Sequence, residues 1–95
     1  MVFHPGHDEL HGFTVVLHTS GPMTYVGRWD AIVGGRIVLN DAAAHRDGDE
    51  GLSKKAFLER LAKTGPHPTR QRLAIPESEV DRAQKLGDLA REFTS

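Results

Sequence analysis

The sequence predicts a mainly-β protein: a small, strongly bent antiparallel β-barrel with an inserted helix near residues 54–64 and the option of a C-terminal helix. Two candidate strands, residues 23–33 and 36–44, flank Gly34-Gly35, a pair typical of the two-residue turn of a β-hairpin. Gly27 lies inside the longer strand. A glycine there favours a bend or a close backbone approach, which lets one strand serve both halves of a small barrel.

Side-chain alternation predicts the other strands and the core. In residues 12–18, Val15 and Leu17 share one parity and Val16 takes the other. Tyr25 and Trp29 share a parity in the second strand, so we expect both aromatic rings in the core. A later apolar run, residues 73–75, ends at a proline and supplies a further strand.

The inserted helix follows a polar turn that the sequence predicts over residues 45–51. Ser53 is a good N-cap, because its hydroxyl can accept a hydrogen bond from a free backbone N–H of the first turn. Phe57, Leu58 and Leu61 then form an apolar stripe at helical spacing, and Gly65-Pro66 ends the helix.

The tail after Pro76 has two interpretations. Acidic residues follow the proline and apolar residues recur at helical spacing, which favours one helix. Alternatively, residues 80–86 form one turn and a last strand, and Gly87 separates that strand from a short terminal helix. The sequence leaves the two alternatives open.

Composition places the chain in a broad class. Its 95 residues suit one small domain, with residues 1–11 as an irregular arm and residues 12–95 as the barrel with its helix. The chain has no cysteine, which excludes disulfides and thiolate chemistry. Its N-terminus lacks the pattern of a secretory signal, and no stretch suits a membrane span. We therefore expect a cytoplasmic protein.

Two blocks of short strings carry a family resemblance. They are Phe13–Leu17, Gly21, Tyr25–Arg28, Asp30 and Gly35–Asp41 in the first block, and Leu73–Pro76 with Val80 in the second. This series resembles the Sm/LSm family of small β-barrels. The resemblance implies a barrel fold and ring-like self-association through strand edges.

The chain departs from that family where the family binds RNA. Sm-like RNA binders carry a base-reading asparagine shortly after the aspartate that corresponds to Asp30, whereas residues 31–34 here are Ala-Ile-Val-Gly. The arginine-glycine or lysine-histidine element before the family's last strand is also missing. The resemblance therefore does not carry an RNA site over to this chain.

The first functional hypothesis is a non-enzymatic binding or assembly protein. The sequence contains no nucleophile elbow and no phosphate-binding glycine loop, and its spacing singles out no pair of residues as a general acid and base. The sequence therefore predicts no enzyme and no cofactor. Exposed strand edges readily pair with other chains. We expect either a homo-oligomer or an accessory subunit that pairs with a different protein.

Two alternatives remain from the charged residues. The half of the chain after residue 50 carries nine Lys and Arg against six Asp and Glu, so a nucleic acid could bind there. The candidate phosphate-binding residues are Lys54, Lys55, Arg60, Lys63, Arg70 and Arg72. The second alternative is a metal site in the N-terminal arm, with His4, His7 and His11 as candidate ligands.

Overall fold

A computed structural model describes residues 10–94 as one five-stranded sheet with two helices. The elements are β1 (Thr14–His18), β2 (Met23–Val33), β3 (Arg36–Arg46), α1 (Lys54–Thr64), β4 (Arg70–Pro76), β5 (Arg82–Lys85) and α2 (Leu86–Thr94). The sheet is antiparallel throughout, in the order β4-β3-β2-β1-β5. The predicted mainly-β fold with an inserted helix is confirmed. Because β4 and β5 do not pair with each other within this described part, the barrel is open.

Both faces of the sheet are buried, each in its own apolar cluster. The inner cluster contains Val15, Leu17, Trp29, Ile37, Leu39, Ala42, Ile75 and Val80, and Tyr25 packs against it. The outer cluster lies between the sheet and the helices and contains Val16, Val26, Ala43, Phe57, Leu61 and Leu89. Successive side chains of a strand point to opposite faces, so one short strand contributes to both clusters. Trp29 is only 3% exposed, which confirms the predicted core position.

Gly27 marks a close contact between β2 and β3. The β2–β3 register shifts between Val26 and Arg28 and again between Trp29 and Ala31. A Cβ atom on Gly27 would lie 2.9 Å from the Leu39 Cβ and 3.0 Å from the Ala42 Cβ. The absent side chain therefore lets the two strands cross closely where the sheet bends.

Local sequence chemistry sets the hairpin and α1 as predicted. Gly34 and Gly35 both have positive φ, at 58° and 75°, which a two-residue hairpin turn requires. The Ser53 side chain accepts a hydrogen bond from the Ala56 N–H at 3.1 Å and caps α1. Gly65 ends the helix with φ of 78°.

The region after α1 differs in part from the sequence prediction. β4 begins at Arg70 instead of residue 73, because backbone pairing with β3 continues beyond the apolar run. Residues 80–86 follow the second alternative, since Arg82–Lys85 pairs with β1. The separating role predicted for Gly87 is wrong, because α2 begins at Leu86 and includes that glycine.

The predicted polar turn at residues 45–51 is also wrong at its start. β3 continues to Arg46, and His45 is 2% exposed. His45 stacks on the Phe57 ring of α1, which the sequence pattern of this segment did not indicate. None of the helices within residues 10–94 is long and apolar enough to cross a membrane.

Candidate functional site

Within residues 10–94, no strand pairs with the outer edge of β4, and this edge presents backbone hydrogen-bonding groups. The Glu77 N–H donates to the Gly35 carbonyl at 2.9 Å, next to the cross-strand pair Arg36–Pro76. The Arg36–Pro76 pair is therefore of the non-bonded type. Paired residues alternate between bonded and non-bonded types along an antiparallel ladder. The backbone groups of Ala74 and Arg72 therefore point away from β3, toward an added strand.

Both edge strands carry cations. Arg70 and Arg72 of β4 are exposed and share one face, because they are two residues apart. On β5, Arg82 is exposed, and the Lys85 Nζ lies 4.2 Å from the Phe13 ring centroid, in range for a cation–π contact. Any strand added to either edge would meet positive charge.

Three of the six predicted phosphate-binding residues already contact the protein. The Lys54 Nζ donates to the Thr19 and Gly21 carbonyls at 2.7 and 2.8 Å, which ties the start of α1 to the β1–β2 turn. The Arg72 guanidinium lies 3.5 Å from the Asp30 carboxylate. Arg60 also forms an ion pair, with 3.6 Å between a guanidinium nitrogen and a Glu50 carboxylate oxygen.

The other three predicted cations are exposed but lie on two elements. Lys55 and Lys63 belong to α1, which packs on the outer face of the sheet, whereas Arg70 belongs to the edge strand β4. An exposed lysine can still bind a phosphate as a point charge. The structure thus distributes the six predicted cations over two elements, α1 and β4, and three of the six already form polar contacts within the protein.

The segment between β4 and β5 lies beside the β2–β3 turn and is acidic. The Glu77–Gly35 hydrogen bond holds the β2–β3 turn against the segment between β4 and β5. That segment carries Glu77, Glu79 and Asp81 and offers no cation before Arg82. Acidic side chains at this place repel a phosphate backbone.

The predicted metal ligands fall largely outside the described residues. His4 and His7 lie there, so only His11 has a described position. His11 is exposed, and its Nε2 lies 3.9 Å from an Asp30 carboxylate oxygen. Within residues 10–94, no group of three potential ligands is placed to hold a metal ion.

A partly buried polar network joins β1, β5 and α2, and the sequence did not indicate it. The His18 Nε2 and the Gln84 Oε1 are 2.8 Å apart, and the Gln84 amide donates to the Glu92 carboxylate. Burial lowers the pKa of His18 below its usual 6.5, against the opposing effect of the Gln84 hydrogen bond. The network fastens α2 to the edge strand and is structural.

The fold defined by this sheet is an Sm-like small β fold. No protein-family model matches the chain, and no curated protein matches it. Among solved structures, an Sm protein of Pyrococcus abyssii in complex with a uridine heptamer is similar, with a TM-score of 0.53 and 13% identity over 81% of this chain and 87% of that chain. At this identity the likeness concerns the fold alone.

Two further similar structures are chains of NatC complexes. One, from a NatC complex bound to CoA, has a TM-score of 0.54 and 10% identity, with 99% of both chains covered. The other, from a NatC complex bound to Gag peptide and CoA, has a TM-score of 0.52 and 10% identity over 87% of this chain and 94% of that chain. They agree with the Sm-like fold.

Proposed function

We propose that this chain is a non-enzymatic, cytoplasmic accessory subunit that binds a partner protein through the free edges of its sheet. The observation that carries the proposal is the pair of edges themselves. β4 and β5 end an open sheet, and the β4 edge presents free backbone groups at Arg72 and Ala74. A partner strand that pairs there gains main-chain hydrogen bonds along its length.

The charge of the edges favours a partner with an acidic strand. Pairing β4 of one copy with β5 of another brings Arg70 and Arg72 toward Arg82 and Lys85. Like charges opposite each other across a ladder are destabilising. Exposed cations on an edge strand also oppose uncontrolled pairing between copies. A heteromeric complex is therefore favoured over a ring of identical chains.

The NatC likeness supports the same proposal. The similar chain belongs to a complex, and the two chains cover each other almost completely. An Sm-like fold thus occurs as one chain of a multi-protein assembly. We propose the same mode of assembly for this chain, as one subunit of a complex, and we do not propose the chemistry of the NatC complex for it.

Native mass spectrometry of the purified chain tests the proposal directly. We expect a monomer at every protein concentration, because the two edges repel each other. The double variant Arg82→Glu and Lys85→Glu makes the β5 edge complementary to β4, so it should self-associate. The matched control, Lys55→Glu with Lys63→Glu, reverses the same charge on α1 and should stay monomeric. A closed ring formed by the unmodified chain would refute the heteromeric proposal.

Nucleic-acid binding is the second candidate, favoured by the exposed cations Lys55, Lys63 and Arg70 and by the Sm protein bound to a uridine heptamer. Its test is a titration of the chain with a labelled uridine oligonucleotide at increasing salt. Phosphate contacts weaken steeply with salt, so saturable and salt-sensitive binding would favour this candidate. Retention of RNA during purification would favour it as well.

A further inference from the structure

A small cavity lies between β3 and α1, on the outer side of the sheet. Its volume is about 170 Å³, and apolar side chains such as Leu61 and Val26 form part of its wall. The polar part of the wall includes His45, Arg60, Glu50 and Thr69. An apolar cavity of similar size, roughly 150 Å³, holds benzene in another protein, so this space suits a ligand of roughly six heavy atoms.

His45 contributes a buried nitrogen that has no hydrogen-bond partner within residues 10–94. Its ring stacks on Phe57, with centroids 4.2 Å apart and planes within 7°. The Nε2 lies 3.0 Å from the Asp49 carbonyl oxygen, which can only accept, so Nε2 carries a proton. The Nδ1 is buried without a hydrogen-bond partner. In the neutral ring this atom accepts a hydrogen bond, and in the charged ring it donates one.

Arg60 contributes a buried N–H group that also lacks a hydrogen-bond partner in the described part of the chain. Its guanidinium lies over the Phe57 ring, with 5.4 Å between the Cζ atom and the ring centroid. One terminal nitrogen lies 3.6 Å from a Glu50 carboxylate oxygen. The Nε, by contrast, is buried and unpaired. This N–H can only donate, so it calls for an acceptor.

We propose that this cavity binds a small oxyanion, a carboxylate or a phosphate, together with one proton. One oxygen of the anion accepts from the Arg60 Nε–H. A second oxygen shares a proton with the His45 Nδ1, either as an acid O–H that donates to the neutral ring or as an acceptor from the charged ring. Solvent supplies that proton. A charge-assisted hydrogen bond of this kind satisfies a donor that otherwise remains costly to bury.

Thr24 offers a competing internal partner for His45. The two residues face each other in the β2–β3 register, and the Thr24 hydroxyl is buried with no hydrogen-bond partner among residues 10–94. If that hydroxyl alone satisfies the imidazole, a ligand contacts only Arg60, and binding does not depend on proton uptake. The pH dependence of binding therefore separates the two arrangements. The charged and titratable groups that line the cavity with His45 are Glu50, Arg60 and His67.

The test is a nuclear magnetic resonance titration that follows the Arg60 Nε–H signal, with inorganic phosphate and with acetate as probes at constant ionic strength. We expect a saturable shift with at least one probe. With acetate, which stays ionised between about pH 8 and 6, the affinity should increase as the pH is lowered, because the bound state holds one additional proton. Saturation by phosphate alone, by acetate alone or by both supports the site and identifies its anion class. A shift that fails to saturate with either probe overturns the proposal.

Matched variants locate the binding residues. Arg60→Met should weaken binding at least roughly tenfold, because a charge-assisted hydrogen bond is lost. Lys63→Met, which removes an exposed cation from the same helix, should leave the affinity unchanged. His45→Gln should remove the pH dependence, whereas Thr24→Val should keep it. Equal losses in Arg60→Met and Lys63→Met, or pH-independent binding by the unmodified chain, would contradict the proposed site.

Discussion

Replacing Gly27 with alanine should destabilise the fold substantially. The added Cβ would lie 2.9 Å from the Leu39 Cβ and 3.1 Å from the Ala42 Cα, whereas carbon atoms in contact prefer about 3.5–4.0 Å. The Ala42 Cα is backbone in the middle of β3, so it cannot turn aside. Overpacking of this kind costs about 1–3 kcal/mol. For a domain of this size, the melting temperature should fall by roughly 10 °C.

Thermal unfolding followed by circular dichroism measures this effect, and Gly27→Val should exceed it because valine adds two more methyl groups. The matched control is Gly87→Ala in α2, where an added Cβ meets nothing within 4 Å. Alanine is the better residue within a helix, so the control should be neutral or slightly stabilised. If Gly27→Ala melts at or above the temperature of the unmodified chain, the close approach of β2 and β3 is not as described.

Three further predictions concern single side chains. Trp29 should emit at short wavelength and resist acrylamide, because it is buried; red-shifted, readily quenched emission would contradict this. Burial lowers the pKa of His18, so its stabilising contribution is complete above pH 6.5 and is lost as the pH falls through the lowered value. The urea concentration at the unfolding midpoint should fall over the same pH range, and it should fall less in the His18→Gln variant. Identical pH profiles for the variant and the unmodified chain would refute this role of His18. Lys54→Met should lower the free energy of unfolding by about 1 kcal/mol, because two hydrogen bonds to backbone carbonyls are lost. Lys55→Met should leave it nearly unchanged. Equal effects would show that the hydrogen bonds from Lys54 to the β1–β2 turn do not stabilise the fold.

The elements set by local chemistry could be predicted from the sequence. Gly34-Gly35 fixes its turn because both residues adopt positive φ, and Ser53 caps α1 with its own side chain. The position of Gly27 within a strand predicted a close approach between two strands, but it did not predict that Leu39 and Ala42 are the residues it faces. These signals lie within a few residues of the structure they determine, so no knowledge of the tertiary fold is needed.

Elements that depend on distant partners were less accessible. The β5 sequence, Arg-Ala-Gln-Lys, has no apolar alternation, and it is a strand because β1 pairs with it. The basic edges were missed for the same reason, since Arg82 became an edge residue only once that strand was assigned. Likewise, the sequence alone predicts Lys54 as an exposed cation of a helix. Its hydrogen bond to the Thr19 carbonyl depends on the tertiary fold. The burial of His45 requires the ring of Phe57, which belongs to a different element.

The pairing of β1 with β5 also constrains how the chain folds. Val15 lies opposite Lys85, so the first strand gains its second neighbour only from residues near the other end of the chain. Contacts between such distant residues slow folding, because a long loop must close before the contact forms. During synthesis, the β2–β3 hairpin can form early, whereas β1 keeps an open side until β5 has left the ribosome. A nascent chain that lacks β5 therefore exposes an apolar strand, Val15–Leu17, at the time when misassembly is easiest.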